Sequence, residues 1–158
     1  MKALCESLLE TLEVPNLEAS ELRMMNPLVL AYIGDGIHEI MVRTYVITKH
    51  KGTINKLNQR VVKMVKATAQ ANVLRELQYF LTEEEKTIAK RGRNQKSLTV
   101  PKNTSVAEYR QATGFESLLG WLFLNGEEKR LVEIVAKAIT ISENVTIQPS
   151  KIQEQPYE

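Results

Sequence analysis

The chain has a single cysteine, Cys5, in 158 residues. That excludes an internal disulfide framework and any zinc site built from several thiolates. Aromatic residues make up 6% of it, and none falls between Lys86 and Glu108. A binder that stacks single-stranded bases on rings is therefore disfavoured there. Long apolar runs are also missing. The longest, Leu28 to Ile33, is far short of the roughly 20 residues that cross a bilayer. The first ten residues contain Glu6 and Glu10 and no extended apolar segment. No signal peptide is read there, and the expected location is cytoplasmic, with no membrane partner. No stretch alternates like a strand and no segment repeats. With 43% hydrophobic and 25% charged residues, the chain reads as one all-α globular domain.

Basic and acidic residues nearly balance, 21 against 19, but they are unevenly placed. Lys86, Lys90, Arg91, Arg93, Lys96 and Lys102 stand in a stretch without an acid, which leaves 15 basic against 19 acidic elsewhere. Such local positive charge is the footprint of a polyanion site. A solvated face is the ordinary explanation of a basic cluster. Against it stand the length of this one and the Arg91-Gly92-Arg93-Asn94 turn, whose guanidinium forks suit phosphates. A charged loop without aromatics fits a duplex backbone, and A-form RNA is read by shape, phosphates and 2′-hydroxyls.

Helix signals divide the chain into an N-terminal helix and linker (1–25), a main body (26–142) and a polar, flexible tail (143–158). Residues 3–13 read as a short amphipathic helix. Asn26 as N-cap and Pro27 at the first helical position open a long one, closed by His50-Lys51-Gly52. Further helices are expected from Ile54 to about Lys66, from Ala67 to Phe80 and from Thr82 to Arg91-Gly92. A loop should then run from Arg93 to Thr104, and long loops inside compact domains are usually functional or disordered. A short helix follows to about Thr113, then an apolar one from Phe115 to Leu124 and an amphipathic one from Glu127 to Ser142. Thr82–Glu85 and Ser105–Glu108 have capping-box spacing.

The Asn26–Lys49 helix is apolar nearly all round, which predicts burial. Yet Asp35 sits in its middle between Gly34 and Gly36. The other apolar helix carries Glu116, with Gly120 four residues on. Glycines permit close approach of backbones, so if the two helices pack together, their carboxylates converge. Two carboxylates in a dry setting must share a proton or hold a cation. Magnesium suits them: it prefers oxygen, keeps several waters and is often bound by one or two carboxylates plus phosphate. Either acid taken singly is as readily a capping or hydrogen-bonding residue. Glu39 lies on roughly the face of Asp35, as a ligand, a base behind the ligands, or the i+4 partner of Arg43, with the last two favoured. His38 has no second His or Cys at ligand spacing and reads as a satisfied core or interface residue.

Leu30-Ala31-Tyr32-Ile33-Gly34-Asp35-Gly36-Ile37 resembles the signature helix of ribonuclease III domains, and Phe115-Glu116-Ser117-Leu118-Leu119-Gly120 resembles the second motif of that family. Leu81–Glu85, Lys90–Asn94 and Thr99–Thr104 leading to Tyr109-Arg110 are similar to the Mini-III branch, which lacks a separate double-stranded-RNA-binding domain. The resemblance runs from about Asn26 to Ile141. It implies an all-α homodimer that hydrolyses double-stranded RNA with Mg²⁺, for which Mn²⁺ can substitute, and that matures the ends of 23S ribosomal RNA precursors. It also implies that Asp35 and Glu116 are the catalytic, metal-binding pair. Larger members have further acids where this chain has Leu28, Ala31 and Thr113, so protein ligands should be sparse.

The expected reaction is in-line phosphodiester hydrolysis leaving 5′-phosphate and 3′-hydroxyl ends. The apolar surplus on the long helix suggests an isologous contact between two copies. One rival is a catalytically silent ribonuclease III fold that binds RNA or the ribosome; another is an all-α metal-dependent nucleotide hydrolase. Retention of both acids weighs against the first, and the small number of acids against the second.

Overall fold

In the computed structural model, residues 1–96, 100 and 102–147 are described. The helices are α1 (Lys2–Thr11), α2 (Ala19–Met24), α3 (Pro27–Lys49), α4 (Ile54–Val65), α5 (Ala67–Glu76), α6 (Glu83–Arg93), α7 (Val106–Leu124) and α8 (Glu128–Ile147), with a 3₁₀ turn at Leu77–Tyr79 between α5 and α6. No strand occurs among the described residues, and the fold is all-α as the sequence predicts.

The architecture is built around α7, against which α3, α5, α6 and α8 pack. Its Phe115, Leu118, Leu119 and Leu122 are almost wholly buried, and they meet Leu74, Leu77, Ile134, Val135 and Ala138 in one core. A helix that is apolar all round finds neighbours all round. The sequence divides this segment into two helices meeting near Gly114. In the structure the helix is continuous. Gly114 lies within it because a Cβ there would stand 2.6 Å from the Ala89 carbonyl oxygen on α6.

The expectation that α3 is buried on every side is corrected. Val42 and Val46 are fully buried, but Val29, Tyr32, Ile40 and Ile47 are 45–84% exposed. These four share one side of the helix at 3.6-residue periodicity, so a largely apolar face, with the Glu39–Arg43 pair set into it, is left uncovered within this chain. Asn26 Oδ1 accepts from the Leu28 N–H at 2.8 Å, capping the start as expected. The other end stops at an extended His50, not at a glycine cap.

The inner side of α3 touches α7 through main-chain atoms. A Cβ on Gly34 would lie 1.8 Å from the Glu116 carbonyl oxygen, and one on Gly120 would lie 1.9 Å from that of Leu30. Only hydrogen fits at either place. Gly36, read from sequence as serving the same approach, has nothing within 4 Å of its would-be Cβ; it lies on the uncovered side.

Both capping boxes form. Glu85 of the first does more: its carboxylate accepts from Arg130 Nε at 2.7 Å and Nη2 at 2.9 Å, and Nη2 also donates to the Phe80 carbonyl. That clamp ties the start of α6 to α8. Three boundaries differ from expectation. The linker contains α2, capped by Glu18 and Glu21. α6 continues through Gly92 to Arg93. α8 runs to Ile147, so residues 143–147, assigned from sequence to a tail, are helical; 148–158 lie outside the described residues, as do 97–99 and 101 of the expected loop.

The two glycines flanking Asp35 should therefore separate cleanly in a urea-unfolding series. Gly34→Ala overpacks a main-chain contact and should lower stability by about 1–3 kcal/mol or more. Gly36→Ala should keep stability or raise it by up to about 1 kcal/mol through helix propensity. Equal losses at both positions would contradict this account of the α3–α7 contact.

Candidate active site

The close approach of α3 and α7 brings Asp35 and Glu116 together. Their carboxyl groups share a hydrogen bond. Asp35 keeps one side exposed to solvent, whereas Glu116 is largely covered. Burial, and then the neighbouring Asp35 charge, push the Glu116 carboxyl from 4.5 up to about 8. Asp35 is also raised, by burial of its inner side first and by the Glu39 charge second, while its bond to Glu116 pulls it back down. Without a cation, Glu116 is the member that carries the proton, since like charges this close do not both ionise.

Two residues that the sequence leaves out of the site complete it. Gln70 of α5 is 1% exposed and its carboxamide stands beside the Glu116 carboxyl, where it favours the ionised form. Its Nε2 also lies 3.2 Å from Nδ1 of His38. The signal was present in the periodicity: Gln70, Val73, Leu74 and Leu77 share one face of α5, and three of the four are core residues. Ser117, beside Glu116, donates from Oγ to the Pro27 carbonyl at 2.8 Å and pins α7 to the first turn of α3.

His38 is a core residue, as read from sequence. It is 2% exposed and edge-on to Phe115, with ring centroids 5.2 Å apart at 86°. Burial lowers its imidazole to about 4, so it is neutral at physiological pH. Glu39 points to Arg43, accepting from Nη2 at 2.8 Å; of its three sequence readings the i+4 partner is the one seen. Thr113 is a satisfied hydroxyl donating to the Tyr109 carbonyl. With Leu28 and Ala31 it supplies no carboxylate, and no cluster of three or more His, Cys, Asp or Glu forms among the described residues. The donor set is thus sparse, all-oxygen and self-repelling. It fits a hard divalent cation whose remaining ligands are water and phosphate.

The basic residues reach this site through α6. Gly92 is no turn: a Cβ on it would stand 2.3 Å from Ser117 Oγ, so α6 meets α7 one residue from Glu116. Arg91 and Arg93, on either side of Gly92, are half-exposed there, and Lys90, Asn94, Lys96 and Lys102 are exposed. Arg91 donates to the Met25 carbonyl at 3.3 Å. Lys86 pairs with Glu83 at 2.7 Å, so part of its charge is spent within the helix. A second acid-free stretch runs from Ile40 to Arg75. On α4 it presents Lys56, Arg60 and Lys63 to solvent, with i, i+4, i+7 spacing on one face.

Residues 28–127 match the ribonuclease III domain family. Among characterised relatives, the Mini-ribonuclease 3 of Clostridium tetani is 52% identical over 124 residues, covering 78% of this chain and 82% of that one. The Mini-ribonuclease 3 of Staphylococcus aureus is 44% identical over 128 residues, covering 80% and 96%. The crystal structure of protein FN1578 from Fusobacterium nucleatum superposes with a TM-score of 0.68 at 32% identity, over 76% of this chain and 96% of that one. The chain belongs to the Mini-ribonuclease 3 branch of the ribonuclease III family, and its activity is that of an endoribonuclease.

The raised Glu116 makes metal-free stability depend on pH with a definite sign. The folded state holds this proton more tightly than the unfolded chain does, so its contribution is complete below about 4.5 and is lost as pH rises toward about 8. In the presence of a chelator, wild type should lose stability over that window relative to Glu116→Gln, whose neutral amide cannot ionise. Parallel stability–pH curves for the two proteins would count against a protonated Glu116.

Proposed function

We propose that the chain is a cytoplasmic, Mg²⁺-dependent endoribonuclease specific for double-stranded RNA, with Asp35 and Glu116 as its catalytic metal ligands. The observation that carries this reading is the convergence of those two carboxyls, on α3 and α7, at the end of a basic helix. The ion, when bound, supplies Lewis-acid stabilisation of the phosphodiester charge and activates water. Asp35 offers its exposed side to solvent, from which substrate would arrive. Glu116 holds the inner position and gives up its proton as the cation binds. The leaving 3′ oxygen gives 5′-phosphate and 3′-hydroxyl ends. Mn²⁺ can replace Mg²⁺ because the donors are all oxygen.

Substrate affinity comes from Lys90, Arg91, Arg93, Asn94, Lys96 and Lys102, with a lesser share from Lys86, and from the basic face of α4. Contacts to phosphates position a duplex without reading its sequence. The 23S ribosomal RNA precursor as natural target rests on the likeness to Mini-ribonuclease 3 alone. The uncovered face of α3, with Val29, Tyr32, Ile40 and Ile47 and with Gly36 between them, supports an isologous homodimer. Asp35 borders that face, so a two-fold contact would set two sites near one duplex.

A cleavage assay on long duplex RNA tests the assignment. Asp35→Asn should abolish Mg²⁺-dependent cutting while retaining the fold by circular dichroism; retained cutting would sink the catalytic role. In the same assay, replacing Arg91 and Arg93 together by Ala should weaken binding and flatten its salt dependence by about one or two phosphate contacts. Sedimentation should find wild type dimeric and Tyr32→Arg monomeric. A monomeric wild type would remove the two-fold arrangement.

A further inference from the structure

We propose that Gln70 is the positioning residue of the carboxyl pair, holding Glu116 in the rotamer that faces Asp35 because His38 fixes the other side of its carboxamide. The proposal rests on the reading of Asp35 and Glu116 as cation ligands. A Glu side chain has three rotatable bonds, so its carboxyl needs a partner to hold one orientation. The Gln70 carboxamide is held by nothing else: it is buried on the core face of α5, where an amide is disfavoured unless its hydrogen bonds are met. Its side-chain hydrogen bond is to His38, and its remaining side faces Glu116, whose ionised form it favours.

The constraint closes on itself. Phe115 precedes Glu116 on α7 and is fully buried. Its ring stands perpendicular to the His38 imidazole and keeps that ring from swinging. His38 orients the carboxamide, and the carboxamide orients the neighbour of Phe115. An ionised carboxylate only accepts hydrogen bonds, so an N–H of Gln70 occupies one lone pair of Glu116 and leaves the rest for a cation. Groups standing one step behind metal ligands typically change metal affinity by about 10–100-fold when removed.

The test is Mn²⁺ binding to the full chain, followed by electron paramagnetic resonance after removal of endogenous metal, with the metal-free unfolding temperature measured alongside. Gln70→Met keeps the length and bulk of the side chain and should weaken Mn²⁺ binding by about 10–100-fold. His38→Phe should weaken it less, and the double variant should bind no worse than Gln70→Met alone, because His38 acts only through Gln70. A Gln70→Met protein that is less stable yet binds Mn²⁺ within about twofold of wild type would make Gln70 a packing residue only and overturn the proposal. Fully additive losses in the double variant would overturn the relay. If Gln70→Met does not fold, His38→Phe decides: unchanged Mn²⁺ affinity overturns it. Asp35→Asn is the control for the underlying reading. If it binds Mn²⁺ like wild type, the carboxyl pair is not the metal site at all. If it loses binding while the Gln70 variant does not, only the positioning role falls.

Discussion

Repulsion between the Asp35 and Glu116 carboxylates sets the terms for the rest of the structure. Two anions at hydrogen-bonding distance are tolerable only with a shared proton or a cation between them, and among the described residues no lysine or arginine charge acts on either carboxyl. The inner side of the pair is lined with neutral groups instead: the Gln70 amide, an uncharged His38 and the Ser117 hydroxyl turned away toward Pro27. The guanidiniums of Arg91 and Arg93 stand on α6, on either side of the Gly92 that meets Ser117. Charge compensation is thus left to what binds.

The scaffold around this pair is stiff where it must be. α7 is enclosed from Ala112 to Phe123, so Glu116 is carried by a buried stretch of helix. α3 is enclosed on one side only, so Asp35 sits at a boundary between core and solvent. The Arg130 clamp holds α6 from its far end, and the Gly92–Ser117 contact holds it at the near one. α6 is therefore held to the rest of the fold at both ends, at the near one by the Ser117 side chain of the site itself.

Much of this was legible in the residues. The embedded acids of the two most apolar helices, the capping boxes and the Asn26–Pro27 start are local signals, and local signals survive folding. What could not be read is of one physical kind. Periodicity states which faces are apolar, not what lies against them, so α3 and α7 look alike in sequence though only α7 is enclosed. A glycine's purpose depends on the atom opposite: Gly34, Gly92 and Gly120 each meet another helix, and Gly36 meets none. Gln70 looked like an ordinary helix residue until α5 packed it against α7. Arg91-Gly92-Arg93 looked like a turn because glycine breaks isolated helices, whereas here tertiary contact overrides propensity.

The Gly34–Gly120 seam has a further bearing on ion choice. Side-chain layers between helices breathe as rotamers exchange, but main-chain atoms in contact have no rotamer to exchange. The separation of the α3 and α7 backbones is therefore a fixed length. Calcium wants six to eight oxygens at about 2.3–2.6 Å, magnesium six at about 2.0–2.1 Å. Two carboxyls on that fixed frame leave most of either shell, and with it the choice of ion, to water and phosphate. Two hydrogen atoms in place of two methyl groups are enough to make the gap a ruler.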